Sequence, residues 1–225
     1  MTVSVFALAF GIVSVSTVSA QGPLGTILNR MDAHYKGLTS LKCDVTMVKT
    51  DSVLNESDTT QGSTSFLPKS GKRAMYVRID WTKPVNEQIV VIGEKYQLYR
   101  PNLNQVIEGQ TGKAKNNAAA GGALAFVSMS KDQLKANYFV TFIDEETISG
   151  GKRTFHLELT PKVKTTYKLA DLWVDADGMP LQARITENNN DTTTVLLSNI
   201  QKNGVIQTSL FTLNYDRKKV KVIKG

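Results

Sequence analysis

The chain is short of cysteine. Cys43 is the only one in 225 residues, which excludes an intramolecular disulfide and any cysteine-built metal site. Histidine is nearly as scarce. His34 and His156 stand on different elements, and neither has a second histidine or carboxylates at a spacing that reads as a metal pair. Gly150-Gly151 is not followed by a helix start, so it is no phosphate loop, and no nucleophile elbow is present. No catalytic constellation, cofactor or metal site is therefore expected, and the chain reads as a protein that is not an enzyme. Cys43 lies in a strand pattern and is expected to be a small buried apolar residue.

Charge is missing from the start of the chain: no charged residue precedes Arg30. Val3–Val15 is apolar but too short to span a bilayer, and Val18-Ser19-Ala20 presents the small residues a signal peptidase needs. Residues 1–20 are expected to be a cleaved signal peptide and 21–225 a single domain, so the product is expected to be exported. The balance of 27 basic and 20 acidic residues leaves a net charge of +7, which favours anionic partners. Export argues against nucleic acid as one of them.

What is present is a succession of strands. Leu24, Ile27, Leu28, Met31 and Tyr35 form one helical stripe, and Gly37 closes that helix. Leu41–Thr50 alternates as a strand, Asp51–Gln61 reads as a polar loop, and Gly62–Pro68 is the second strand. In Lys72–Trp81 the residues Met75, Val77, Ile79 and Trp81 share one phase, the pattern of a strand with one buried face. Short turns then join Glu87–Ile92, Lys95–Tyr99 and Leu103–Ile107 into a meander. Ala118–Asn137 is a long non-strand insert, and two readings compete for it: a lid over the sheet or a packed crossover.

The second half alternates again, cleanly so at Phe155, Leu157 and Leu159 and at Leu181, Ala183 and Ile185. Asp144-Glu145-Glu146 reads as a solvated turn, and Asp175 and Asp177 as turn chemistry. Ser209-Leu210-Phe211 is a short helical segment that inserts Phe211. Ten or eleven strands, two helical elements and no βαβ alternation predict an α+β fold with wholly antiparallel connections.

The order of short motifs carries a resemblance. The secretion signal and amphipathic helix come first. Tyr76, Trp81-Thr82-Lys83-Pro84, Val90-Val91-Ile92-Gly93, Tyr96-Gln97-Leu98-Tyr99 and Gln105-Val106 follow. Leu172-Trp173-Val174-Asp175, Gly178, Pro180-Leu181, Ser198-Asn199-Ile200, Leu210-Phe211 and Val220-Lys221-Val222-Ile223 complete the series. Together they resemble the periplasmic outer-membrane lipoprotein carrier family (LolA-like) over nearly the whole mature chain.

The resemblance implies an unclosed antiparallel β-barrel, a half-pipe whose apolar concave face is covered by helices. It implies a carrier that binds lipoprotein acyl chains, or other lipids, and ferries them towards the outer membrane. An inner-membrane release complex and an outer-membrane acceptor would be its partners, and the carrier would be a monomer. The alternative is a periplasmic sensor that detects lipid or mislocalised lipoprotein with the same fold. The cavity is expected to be lined by Met75, Val77, Ile79, Trp81, Leu98, Phe126, Phe155, Leu157, Leu181 and Ile185. Two departures stand out. The arginine that holds the family's lid precedes a proline, where this chain has Leu67 before Pro68, leaving Lys69, Lys72 or Arg73 as candidates. Arg217-Lys218-Lys219 stands where a proline usually introduces the terminal strand.

Overall fold

The computed structural model describes residues 22–111, 126 and 129–225. The expected signal peptide at 1–20, and residues 118–125 and 127–128 of the expected lid, lie outside these described residues. Helix α1 (Pro23–Gly37) begins with proline at its first turn, where the missing N–H has no helical partner to lose. It buries Ile27, Leu28 and Met31, the centre of the predicted stripe. Helix α2 (Lys131–Asn137) starts at a capping box, in which the Ser130 hydroxyl accepts from Gln133 N and the Gln133 side chain accepts from Ser130 N.

Twelve strands build one sheet: β1 (Leu41–Asp51), β2 (Glu56–Leu67), β3 (Tyr76–Lys83), β4 (Glu87–Ile92), β5 (Lys95–Arg100), β6 (Gln105–Gln110), β7 (Tyr138–Ile148), β8 (Lys152–Pro161), β9 (Tyr167–Val174), β10 (Pro180–Glu187), β11 (Thr192–Lys202) and β12 (Lys221–Lys224). Their order is β12-β6-β5-β4-β3-β2-β1-β11-β10-β9-β8-β7. Among the described residues the sheet stays open, an unclosed half-barrel with β12 and β7 as its edge strands, in agreement with the expected fold.

Four expectations about the fold change, the first being twelve strands among the described residues where ten or eleven are expected. The polar loop shrinks to Ser52–Asn55, because β2 begins at Glu56 and pairs with β1 from there to Phe66. Its first half is polar on both faces, so alternation cannot reveal it. The strand expected from Lys72 begins at Tyr76, after a turn closed by hydrogen bonds between Ser70 and Arg73. The connections are not wholly antiparallel, since β12 runs parallel to β6.

That parallel pair follows from the path of the C-terminal segment. After β11 the chain crosses the face of the sheet opposite the helices. Phe211 and Leu213 are buried there with Leu67 and Val90, and Tyr76 and Tyr99 pack around them. The Phe211 ring lies 5.2 Å from Tyr76 and the Tyr215 ring 5.4 Å from Tyr99. Arg78 donates to the Leu210 carbonyl at 2.6 Å while its guanidinium grips Asp80. The segment therefore reaches the far edge heading the same way as β6. The predicted insertion of Phe211 is observed, within a 3-10 turn at Thr208–Phe211.

Candidate functional site

The main core lies on the helix-covered face, and cross-strand register explains its continuity. Thr64, Ile79, Ile89, Leu98, Ile107 and Ile223 stand opposite one another across β2, β3, β4, β5, β6 and β12. A second row runs Phe142, Leu157, Leu172, Ala183, Val195 and Met47 from β7 through β8, β9, β10 and β11 to β1. Side chains opposite each other on one face are the unit of packing in a sheet. Helix α1 closes over these rows with Ile27, Leu28 and Met31, and Leu134 of α2 is fully buried in the same cluster.

Nine of the ten sequence-selected residues meet in this one cluster. Ile79, Trp81, Phe126, Leu157, Leu181 and Ile185 are buried, while Met75, Val77 and Phe155 are half-buried against it. Leu98 is also buried and shares the face by register with Ile89. Sequence reasoning did not select Met47, Leu172, Val174, Val195 or Phe142. Alternation marks the first four, but which strands meet is decided by the fold. Phe142 needed more, because a bulge at Ile143 interrupts the alternation of β7.

Exposure is graded along this face. The side chains at its centre are almost fully covered, with Val45 at 1%, Leu157 at 0% and Leu172 at 0%. Towards one side Met75, Val77 and Ile89 stay half-buried, and towards the other Val140, Phe142 and Phe155 do. Arg30 of α1 holds its guanidinium 5.8 Å from the centre of the Phe155 ring. Lys131 of α2 donates to Asn29 Oδ1 of α1 at 2.7 Å, tying the two covering helices together.

Burial shifts several ionisable groups in and beside this cluster. Burial pushes the Cys43 thiol up to about 12, which leaves it protonated and unreactive, as expected of a structural cysteine. Burial, then the hydrogen bond shared with Tyr138, raises Tyr167 as well; the two hydroxyls lie 2.5 Å apart. His34, on α1, is held below its usual value by burial and then by Lys202.

The lid-holding arginine of the family has no counterpart at the position before Pro68. Leu67 points into the cluster on the opposite face, away from α1. Among the candidates, Arg73 donates to the Pro68 carbonyl at 3.2 Å and so braces the turn after β2. Asp175 and Asp177 serve the turn between β9 and β10: Asp175 Oδ1 accepts from Asp177 N at 2.9 Å and Met179 N at 2.8 Å. Asp144-Glu145-Glu146 is not a turn but part of β7.

Solved structures share this architecture. An uncharacterised conserved protein from Thermus thermophilus matches with TM-score 0.57 at 13% identity, over 90% of this chain and 99% of that one. MucB matches with TM-score 0.55 at 13% identity, over 84% of this chain and 62% of that one. The MucA/MucB complex of Pseudomonas aeruginosa matches with TM-score 0.50 at 14% identity, over 88% of this chain and 62% of that one. At these identities the likeness is one of fold. No curated protein matches the sequence. The family model for the outer membrane lipoprotein carrier protein LolA matches residues 40–214, from the start of β1 into the segment that crosses the opposite face. An open sheet with an apolar, helix-covered face is thus joined to a sequence match over most of its strands, and the chain belongs to the LolA family.

Proposed function

We propose that this protein is a periplasmic carrier, exported by removal of residues 1–20, that holds the acyl chains of lipoproteins or other lipids against its helix-covered face. Met75, Val77, Ile79, Trp81, Leu98, Phe126, Phe155, Leu157, Leu181 and Ile185 form the lining in this reading. The observation that carries it is the half-burial of Met75, Val77, Ile89, Val140, Phe142 and Phe155 beside a fully packed centre. Apolar side chains left partly open next to a core provide surface for an acyl chain without a new cavity being opened.

Energetics favour incomplete burial. A buried methylene contributes about 0.8 kcal/mol, so a chain of about sixteen carbons gains on the order of 12 kcal/mol gross. Several chains held so firmly would not be handed on. Binding on half-buried side chains leaves part of the acyl chain in water, which keeps the gain below that figure.

Mass spectrometry of protein taken from the periplasm tests the reading. The wild type is expected to carry acyl lipid, and the purified protein to take up a fluorescent palmitoyl probe and pass it to acceptor vesicles. Absence of both bound lipid and uptake would defeat the proposal. Uptake without transfer favours the sensor alternative.

A further inference from the structure

We propose that the sheet face opposite the helices carries a divalent transition-metal site of the zinc class, formed by His156 Nδ1, Asp144 and Glu146. The sequence predicts no metal site, because no spacing along the chain ties His156 to carboxylates and Asp144-Glu145-Glu146 reads as a solvated turn. The β7–β8 register places Asp144 directly opposite His156, and the bulge at Ile143 turns Asp144 and Glu146 to the histidine's side of the sheet.

The geometry is that of a ligand set. Nδ1 lies 3.3 Å from Glu146 Oε1 and 3.6 Å from Asp144 Oδ1, and the three donor atoms all fall within 4.8 Å of one another. Metal bonds of zinc-site length in a tetrahedron separate neighbouring donors by about 3.4 Å. One imidazole nitrogen and two carboxylates suit zinc and its neighbours better than calcium or magnesium, which take oxygen.

An outer shell is already built. His156 is only 13% exposed, and its Nε2 lies 2.8 Å from Oδ1 of Asp171, whose side chain is 4% exposed. Arg184 Nε donates to the other Asp171 oxygen at 3.0 Å. A carboxylate on one ring nitrogen fixes the tautomer and turns the other nitrogen's lone pair outward, the arrangement found behind metal-bound histidines. The imidazole stacks on Trp173 at 4.6 Å with 8° between the rings, and Trp173 Nε1 donates to Glu146. Ring and carboxylate are both held in place.

Charge points the same way. Asp144, Glu146, Asp171 and Glu158, which stands opposite Asp171, face Arg184 and the imidazole. With a neutral imidazole, three acceptors converge on one point, and a cation there relieves their repulsion. The solvent-facing side remains open, since Asp144 and Glu146 are 58% and 43% exposed. Water would complete the coordination.

The test uses untagged full-length protein stripped with a chelator and titrated with zinc chloride alone. One equivalent is expected to bind and to raise the melting temperature. Cobalt(II) is expected to give the intense visible bands of a tetrahedral site. Asp144→Asn with Glu146→Gln, both exposed and isosteric, should abolish binding and leave the fold intact. Asp171→Asn should weaken it by roughly tenfold or more through the histidine. No binding by the wild type overturns the proposal, and so does undiminished binding by the double variant. A His156 that is merely protonated and paired with these carboxylates would show as pH-dependent stability with no metal response, which also overturns it.

Discussion

Gly178 lies against the backbone of Arg30. A Cβ at position 178 would sit 2.3 Å from both the carbonyl carbon and oxygen of Arg30 and 2.5 Å from Met31 N. The turn between β9 and β10 is therefore seated directly on α1, and Gly178 also adopts φ +88°, which disfavours any side chain. Gly178→Ala is expected to cost about 2 kcal/mol or more, from left-handed strain together with displacement of the helix. Urea unfolding measures it, and a loss below about 0.5 kcal/mol, the level of a neutral surface change, would show that α1 yields freely.

Ile79 is 5% exposed and stands between Thr64 and Ile89 in the row that ends at Ile223. Ile79→Ala is expected to destabilise by about 2–5 kcal/mol through the cavity it leaves. Ile79→Asp should cost more, because it buries a carboxylate without a partner, and should also remove acyl-probe uptake. Val77→Asp, at a half-buried position on the same face, is expected to keep the fold and weaken uptake. Equal stability losses at the two positions would place Val77 in the packed core, away from any ligand surface.

Phe211 fastens the C-terminal segment to the face opposite the helices. Phe211→Ala is expected to cost about 3–5 kcal/mol. Hydrogen exchange should speed up across residues 206–224, because β12 is tethered through this segment. Exchange confined to the immediate neighbours of residue 211 would mean that β12 is held by its pairing with β6 alone.

Cys43 sets an alkaline limit on stability. Its folded-state value is raised to about 12, above that of an exposed thiol. Between the two values the unfolded chain has released a proton that the folded chain retains, so stability falls as pH rises through that window. Tyr167, also raised, acts with the same sign at higher pH. Cys43→Ala is expected to flatten the decline between about pH 8 and pH 11, read from urea unfolding at each pH. A wild-type thiol that reacts rapidly with a disulfide reagent at about pH 8 would contradict the burial on which this rests.

The sequence by itself determined α1, most strand positions and the apolar phase of Met75, Val77, Ile79 and Trp81. Alternation and helical periodicity are local, and burial on one face imposes them directly. It also carried the family resemblance, since turn residues and short motifs keep their order along the chain. Tertiary structure alone decided what these signals cannot reach. Polar Glu56–Gln61 joins the sheet because β1 supplies its hydrogen bonds, which leave no hydrophobic pattern. Strand β12 is parallel because Phe211 and Leu213 bind the crossing segment to the opposite face. Asp144 and His156 are neighbours because two strands pair in one register, and a single extra residue at Ile143 reverses the phase of β7. Phe142 and Asp144 would share a face in a regular strand. The bulge sends one to the apolar core and the other to the polar cluster, and no local periodicity records that choice.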